Sequence, residues 1–137
     1  MRDLCGCKGG VLMRAEETVF VNLSNHPSGF WGAEQRQAAE CIGRIVDVAF
    51  PAVQAEASAE SVREMAAAVC SELEAYSCPV VMVQGEFTLT YHIVRILKEK
   101  GIRAVASCST REAVETMQPD GSTVKNSTFR FVQFRDY

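Results

Sequence analysis

The chain has 137 residues, 47% of them hydrophobic and 23% charged, which is typical of one globular domain and excludes a disordered or fibrous protein. Its formal net charge of -3 excludes the basic surface with which proteins hold long DNA or RNA. Because the sequence has no apolar run of bilayer length and no signal-peptide pattern, we expect a cytoplasmic protein without a membrane partner.

The first part of the chain predicts two strands and one helix behind an N-terminal extension. Residues 1–17 have no apolar period and are expected to form a loose extension, which leaves 18–137 as the single domain. Residues 18–23 are rich in β-branched and aromatic types and predict a strand, and a polar loop follows. The spacing of apolar residues predicts a helix over 33–43, and 44–49 reads as a second strand.

The middle of the chain continues the alternation of strands and helices. An amphipathic helix is predicted over 59–76, a fully buried strand over 79–83, a helix over 87–100 and a fourth strand over 102–106. Such an alternation is typical of βαβ units with right-handed crossovers. We therefore predict an α/β fold, with a Rossmann-like, mostly parallel sheet of order about 2-1-3-4 and helices on both faces.

The end of the chain has a different pattern. Two strand-like segments, 112–118 and 123–134, flank a turn in which Pro119 presets φ and Gly121 permits a positive φ. This pattern predicts a C-terminal antiparallel β-hairpin.

The six cysteines do not suggest a metal site or a secreted disulfide framework. Cys5 and Cys7 flank one glycine and lack a second Cys/His pair at zinc-ligand spacing, so we expect neither a metal nor another cofactor. The remaining four fall in or beside apolar runs and are expected to be reduced core residues: Cys41, Cys70, Cys78 and Cys108.

Polar loops follow three of the predicted strands. In an open α/β sheet, ligands bind beyond the carboxyl ends of strands, at the point where neighbouring strands lead to helices on opposite faces. With the order 2-1-3-4, the first and third strands form that switch point. The loops 24–28, 84–88 and 107–111 are therefore predicted to form one edge of the sheet.

The first of these loops carries hydroxyls, an amide and an imidazole just before a helix start, where backbone amides attract anions. The candidate ligand-binding residues are Ser24, Asn25 and Ser28. His26 is a candidate proton carrier near neutral pH. The alternative is a capped turn that only holds the helix in place.

The other two loops supply a carboxylate and a guanidinium. Glu86 is a candidate catalytic residue, with helix capping as its alternative. Arg111 is also a candidate catalytic residue, which grips a phosphate through paired hydrogen bonds, with an ion pair to Glu112 or Glu115 as its alternative. The remaining candidates in these loops are ligand-binding residues: Gln84, Gly85, Thr88, Ser109 and Thr110. The GxGxxG and P-loop patterns are missing, which removes the usual support for dehydrogenase and NTPase functions.

Four landmarks in chain order carry a family resemblance: NLSNHPS with the following Gln35, then VQGEFTLT, the STRE turn and the terminal FRFVQFRDY. From about Thr18 to Tyr137 the sequence resembles the small CRISPR-associated, CARF-like Csx proteins that include the ring nucleases of type III systems. The sequence has NHPS where a serine-histidine pair is more usual, and Glu86 where an aspartate is common.

The resemblance implies a role in antiviral defence, in which a two-fold homodimer binds a cyclic oligoadenylate second messenger and cleaves it without a metal. In that reading Arg111 holds a phosphate, and His26 or Glu86 assists proton transfer. The alternatives are a non-catalytic sensor of the same ligand, and a small nucleotide- or sugar-phosphate-binding protein outside CRISPR systems.

Overall fold

The computed structural model describes residues 18–137, which form an α/β fold of five strands and three α-helices. The predicted extension 1–17 lies outside the described residues. The strands are β1 (Val19–Ser24), β2 (Arg44–Ala49), β3 (Val80–Val83), β4 (Arg103–Met117) and β5 (Thr123–Asp136). The helices are α1 (Ala33–Glu40), α2 (Ala59–Leu73) and α3 (Phe87–Glu99), and a 3-10 turn covers Ser28–Phe30. No helix in this described part is long and apolar enough to span a bilayer.

The five strands form one sheet in the order β2-β1-β3-β4-β5. Strands β1 to β4 pair in parallel, and β5 pairs antiparallel to β4. The predicted mostly parallel α/β sheet and its C-terminal hairpin are therefore confirmed. The strand order differs from the predicted 2-1-3-4 by a fifth strand, because the second half of the hairpin joins the sheet as its edge.

Strand β4 corrects the prediction of a loop over 107–111. It continues without a break from Arg103 to Met117 and pairs with β5 along most of that length, with one register irregularity between Cys108 and Ser109. The strand tolerates the serines and threonines that suggested a loop, because their backbone pairs with β5, which is distant in sequence. Beyond the body of the sheet this hairpin projects as an arm, which we define as residues 109–131.

The two faces of the sheet carry cores of unequal size. On one face, α2 and α3 pack on alternate residues of the strands, among them Val21, Val81 and Val83. On the other face a smaller cluster joins Phe20 and Met82 to Ala39 of α1, Trp31 and Phe134. Because α1 has only eight residues, it leaves the carboxyl end of this second face uncovered.

The cysteines only partly follow the expectation of reduced core thiols. Cys70 is buried and free, and burial raises the pKa of its thiol to about 11, so it is unreactive near neutral pH. Cys108 is free and half-buried, whereas Cys41 is free but exposed and does not belong to the core. Cys78 is disulfide-bonded, so the prediction that it is reduced is wrong.

Candidate functional site

A cleft of about 960 Å³ lies beyond the carboxyl ends of β1, β3 and β4, on the face that α1 leaves uncovered. One wall is formed by the 3-10 turn and the start of α1, and the other wall by the arm. Strands β1 and β3 are neighbours, and they lead to helices on opposite faces of the sheet. The cleft therefore occupies the switch point at which open α/β sheets bind ligands.

The floor of the cleft consists of the last residues of the central strands and the side chains that follow them. The side-chain carbonyl of Gln84 accepts a hydrogen bond from the backbone N–H of Ser107 at 2.8 Å, which ties the end of β3 to β4. The backbone N–H of Gln84 donates to the carbonyl of Leu23 at 3.1 Å. The Gln84 NH2 group has no hydrogen-bond partner among the described residues and is available to a ligand.

The loop after β1 is held by a polar network around Asn22, whose side chain is buried in the sheet. Its Nδ2 donates to the carbonyl of His26 at 2.8 Å and to Oδ1 of Asp47 at 2.9 Å, and its Oδ1 accepts from the hydroxyl of Ser24 at 2.7 Å. The Asp47 carboxylate also accepts from the backbone N–H of Ser28 at 3.1 Å and from its hydroxyl at 3.1 Å. The network fixes the backbone on both sides of His26.

The imidazole of His26 lines the cleft from this fixed loop. The backbone N–H of His26 donates to the Ser24 hydroxyl at 3.1 Å, while the ring itself makes no hydrogen bond within the described part of the chain. The exposed imidazole can therefore donate a hydrogen bond to, or accept one from, a group that enters the cleft. It is the one histidine among the residues that line the cleft.

The arm supplies the cation of the cleft. Nε of Arg130 lies 3.6 Å from Oε1 of Glu34 at the start of α1, so the pair spans the cleft between its two walls. Both side chains are more than 60% exposed, and such a pair contributes little free energy in water. Arg130 is therefore held only weakly by Glu34. Glu112 also lines the cleft from β4.

The structure brings only some of the predicted site residues together. The predicted residues that line the cleft are Ser24, His26, Gln84 and Ser109. The remaining ones do not line it: Asn25, Ser28, Gly85, Glu86, Thr88, Thr110 and Arg111. Ser28 is nevertheless part of the Asp47 network that shapes the β1 loop.

Glu86 is the N-cap of α3. Its carboxylate accepts from the backbone N–H of Leu89 at 2.8 Å and from the Thr88 hydroxyl at 2.7 Å. The Leu89 N–H, and after it the Thr88 hydroxyl, lower the pKa of Glu86, so this carboxylate stays ionised near neutral pH. The stabilisation from this cap is fully present above the pKa that Glu86 has in the unfolded chain. It is lost as pH falls through the lowered pKa of the folded protein.

Gly85 packs closely against the core. A Cβ atom at this position would lie 2.5 Å from the ring of Phe50, which is buried against the α2 and α3 face. The absence of a side chain at Gly85 therefore makes room for this ring.

Arg111 lies on the arm and is engaged there. Its Nε and Nη2 donate to the hydroxyl of Ser127 at 3.1 and 2.9 Å. In the β-ladder Arg111 pairs with Phe129, and its neighbour Thr110 pairs with Arg130. The guanidinium that lines the cleft is therefore contributed by β5.

Sequence reasoning missed several residues of the site. The sequence pattern predicts Asp47 within a strand and Arg130 within a hairpin. It gives no sign of their roles at the site, because nothing local distinguishes either from an ordinary exposed strand residue. Among the described residues no group of three or more His, Cys, Asp or Glu side chains is placed to hold a metal ion. The polar side chains that line the cleft include Ser24, Gln84, Ser107 and Arg130.

Residues 18–135 match the family described as "Uncharacterized protein MJ1673 family". No curated protein and no solved structure matches the chain.

Proposed function

The chain belongs to the MJ1673 family, and we propose that its cleft binds a cyclic oligoadenylate and cleaves it without a metal ion. The observation that carries this proposal is the lining of the cleft. Hydroxyls, two side-chain amides, aromatic rings, one arginine and one imidazole converge at the switch point of the sheet. These are the groups that recognise sugars, bases and a phosphate, and that move a proton. The resemblance of the sequence to CARF-like ring nucleases supports the choice of ligand.

The proposed chemistry needs little from the protein beyond position and one proton carrier. A ribose 2′-hydroxyl attacks the neighbouring phosphorus, the bond from phosphorus to the 5′-oxygen breaks, and a 2′,3′-cyclic phosphate and a 5′-hydroxyl form. His26 takes the proton from the 2′-hydroxyl or returns one to the leaving 5′-oxygen. Arg130 and the Gln84 amide hold the phosphate and sugar in the geometry of attack.

The guanidinium in the cleft provides a test of ligand position. Arg130→Ala should weaken the binding of cyclic tetraadenylate by about tenfold or more, because a charged hydrogen bond to a phosphate is lost. Arg111→Ala removes the same group from the neighbouring strand, next to the residue that pairs with Arg130, and should leave the dissociation constant nearly unchanged. Calorimetric titration measures both. Equal losses in the two variants, or none in either, would contradict the assignment of Arg130.

We also propose that the protein forms a homodimer through the arm. A two-stranded hairpin is only marginally stable by itself, and this one exposes Val114 at 51% and Val124 at 38%. Both lie on one face of the hairpin, because Val124 pairs with Thr116, two residues from Val114. Its charges balance within residues 109–131, which suits a second copy of the same surface. The cations are Arg111, Lys125 and Arg130, and the carboxylates are Glu112, Glu115 and Asp120.

Light scattering tests the dimer. The parent protein should have twice the 15.0 kDa mass of one chain, and the double variant V114D/V124D should shift towards one chain because charges then replace the apolar contact. Ala67→Asp, on the exposed side of α2, is the matched control and should stay dimeric. A parent protein that is monomeric at micromolar concentration, with and without cyclic oligoadenylate, contradicts this part of the proposal.

A sensor that binds the same ligand without cutting it is the second candidate. The observation that favours it is that only His26, of the three residues predicted to be catalytic, lines the cleft. Recovery of intact cyclic oligoadenylate after prolonged incubation with a protein that binds it would favour the sensor.

A further inference from the structure

Two of the most exposed aromatic side chains of the described chain line the same cleft. Phe30 is 86% exposed and Phe129 is 73% exposed, and both belong to the lining of the cleft. Phe30 lies on the 3-10 turn and Phe129 on β5, so the two rings come from the two different walls. Exposed apolar side chains that gather in one concave site mark a binding surface.

These two rings differ from the other aromatic residues nearby. Trp31, Phe131 and Phe134 also lie at this end of the sheet, but their rings pack on one another or on Phe20, with centroids 4.9 to 6.4 Å apart. Phe30 and Phe129 take part in none of these ring pairs. Their faces are therefore open to a planar group.

The backbone beneath each ring is fixed. The N–H of Phe30 donates to the carbonyl of Pro27 at 3.0 Å, and the N–H of Trp31 donates to that of Ser28 at 3.1 Å. Phe129 lies in the β-ladder opposite Arg111. Rings on such a scaffold lose little backbone freedom when a ligand arrives, which favours affinity.

We propose that Phe30 and Phe129 form a stacking site for a purine base, so that this cleft is selective for nucleotides over sugar phosphates. Aromatic side chains bind unpaired bases through their π faces. The choice of adenine as the purine rests on the proposed function. The neighbouring Gln84 amide and Glu112 carboxylate offer a hydrogen-bond donor and an acceptor to the edge of a base.

The chain itself supplies a reporter for this site. It contains one tryptophan, Trp31, which lines the cleft beside Phe30. Titration of the full chain with adenosine 5′-monophosphate should change the Trp31 fluorescence saturably. Ribose 5-phosphate, which has the sugar and the phosphate but no base, should bind at least about fivefold more weakly, since stacking of one base contributes at least that factor.

Variants identify the rings responsible. Phe30→Leu and Phe129→Leu keep an apolar side chain but lose the aromatic face, and each should weaken binding of adenosine 5′-monophosphate by about fivefold or more. Phe30→Tyr and Phe129→Tyr should restore the parent affinity. Phe87→Leu is the matched control, because Phe87 is equally exposed, at 89%, and does not line the cleft.

The outcomes separate this inference from the proposed function. It is overturned if ribose 5-phosphate binds as tightly as adenosine 5′-monophosphate, if neither binds, or if both leucine variants match Phe87→Leu. If the parent protein cleaves cyclic oligoadenylate while the leucine variants bind adenosine 5′-monophosphate normally, the stacking site fails and the proposed function stands. If base-dependent binding is lost in the leucine variants but no cyclic oligoadenylate is bound or cut, the stacking site stands and the proposed function fails.

Discussion

Replacement of His26 by alanine is expected to slow cleavage of cyclic oligoadenylate by about a hundredfold or more, because general acid-base help from a positioned side chain commonly contributes that factor. The affinity should change less, since the loop is held through the backbone of His26 and through Asn22, Ser24 and Asp47, all of which the variant retains. Single-turnover rates with enzyme in excess measure the chemical step, and a separate titration measures binding.

The second histidine of the chain provides the control. His92 lies on α3 beside Tyr91 and does not line the cleft. His92→Gln should therefore cleave at the parent rate. If His26→Ala cleaves as fast as His92→Gln, the imidazole in the cleft moves no proton and the proposed chemistry is wrong.

Replacement of Asn22 by alanine is expected to reduce the free energy of unfolding by about 2 to 4 kcal/mol, because it leaves buried polar groups without their partner. The side chain is 1% exposed and bonds the His26 carbonyl, the Asp47 carboxylate and the Ser24 hydroxyl. A loss of this size is a large part of the stability of a small domain. Urea denaturation with a fixed m-value measures it.

The neighbouring asparagine in the same loop is a matched control. Asn25 is exposed and makes no side-chain hydrogen bond within the described residues, so Asn25→Ala should change the free energy of unfolding by less than about 0.5 kcal/mol. Equal effects of Asn22→Ala and Asn25→Ala would mean that the network around Asp47 does not hold the loop.

The elements that local sequence predicts well are those whose pattern and end signals agree. The apolar run at β3 is a fully buried parallel strand, as its continuous hydrophobicity predicts. The start of α2 is capped by Ser58, whose Oγ accepts from the N–H of Ser61 at 3.0 Å, and α3 ends before Gly101 with φ of 74°. Each of these signals acts within a few residues, so the local sequence is enough to predict the element.

The long strand β4 shows what a local reading misses. Residues 107–111 are polar and resemble a loop, but the partner that makes them a strand lies about 20 residues further along, in β5. The sequence near 107 contains no signal of that pairing. The same long-range register decides that Arg130, and not Arg111, reaches the cleft.

The candidate site was predictable to the extent that strand ends place it. The polar run after β1 contains Ser24 and His26, which line the cleft, and the residue after β3 is Gln84, which also lines it. For Glu86 the sequence supported both capping and catalysis, and the distances to Leu89 and Thr88 show that its carboxylate caps α3. Asp47 lies on β2 and holds the loop after the neighbouring strand β1. The local sequence gives no sign of such a role.

We propose that the cleft at the switch point binds and cuts a cyclic oligoadenylate. Cleavage is measured by incubating the purified protein with cyclic oligoadenylates of several ring sizes, in the presence of a metal chelator, and analysing the products. We expect linear oligoadenylates with 2′,3′-cyclic phosphate and 5′-hydroxyl ends, formed much more slowly by His26→Ala. Intact rings of every size after prolonged incubation would contradict the proposed cleavage.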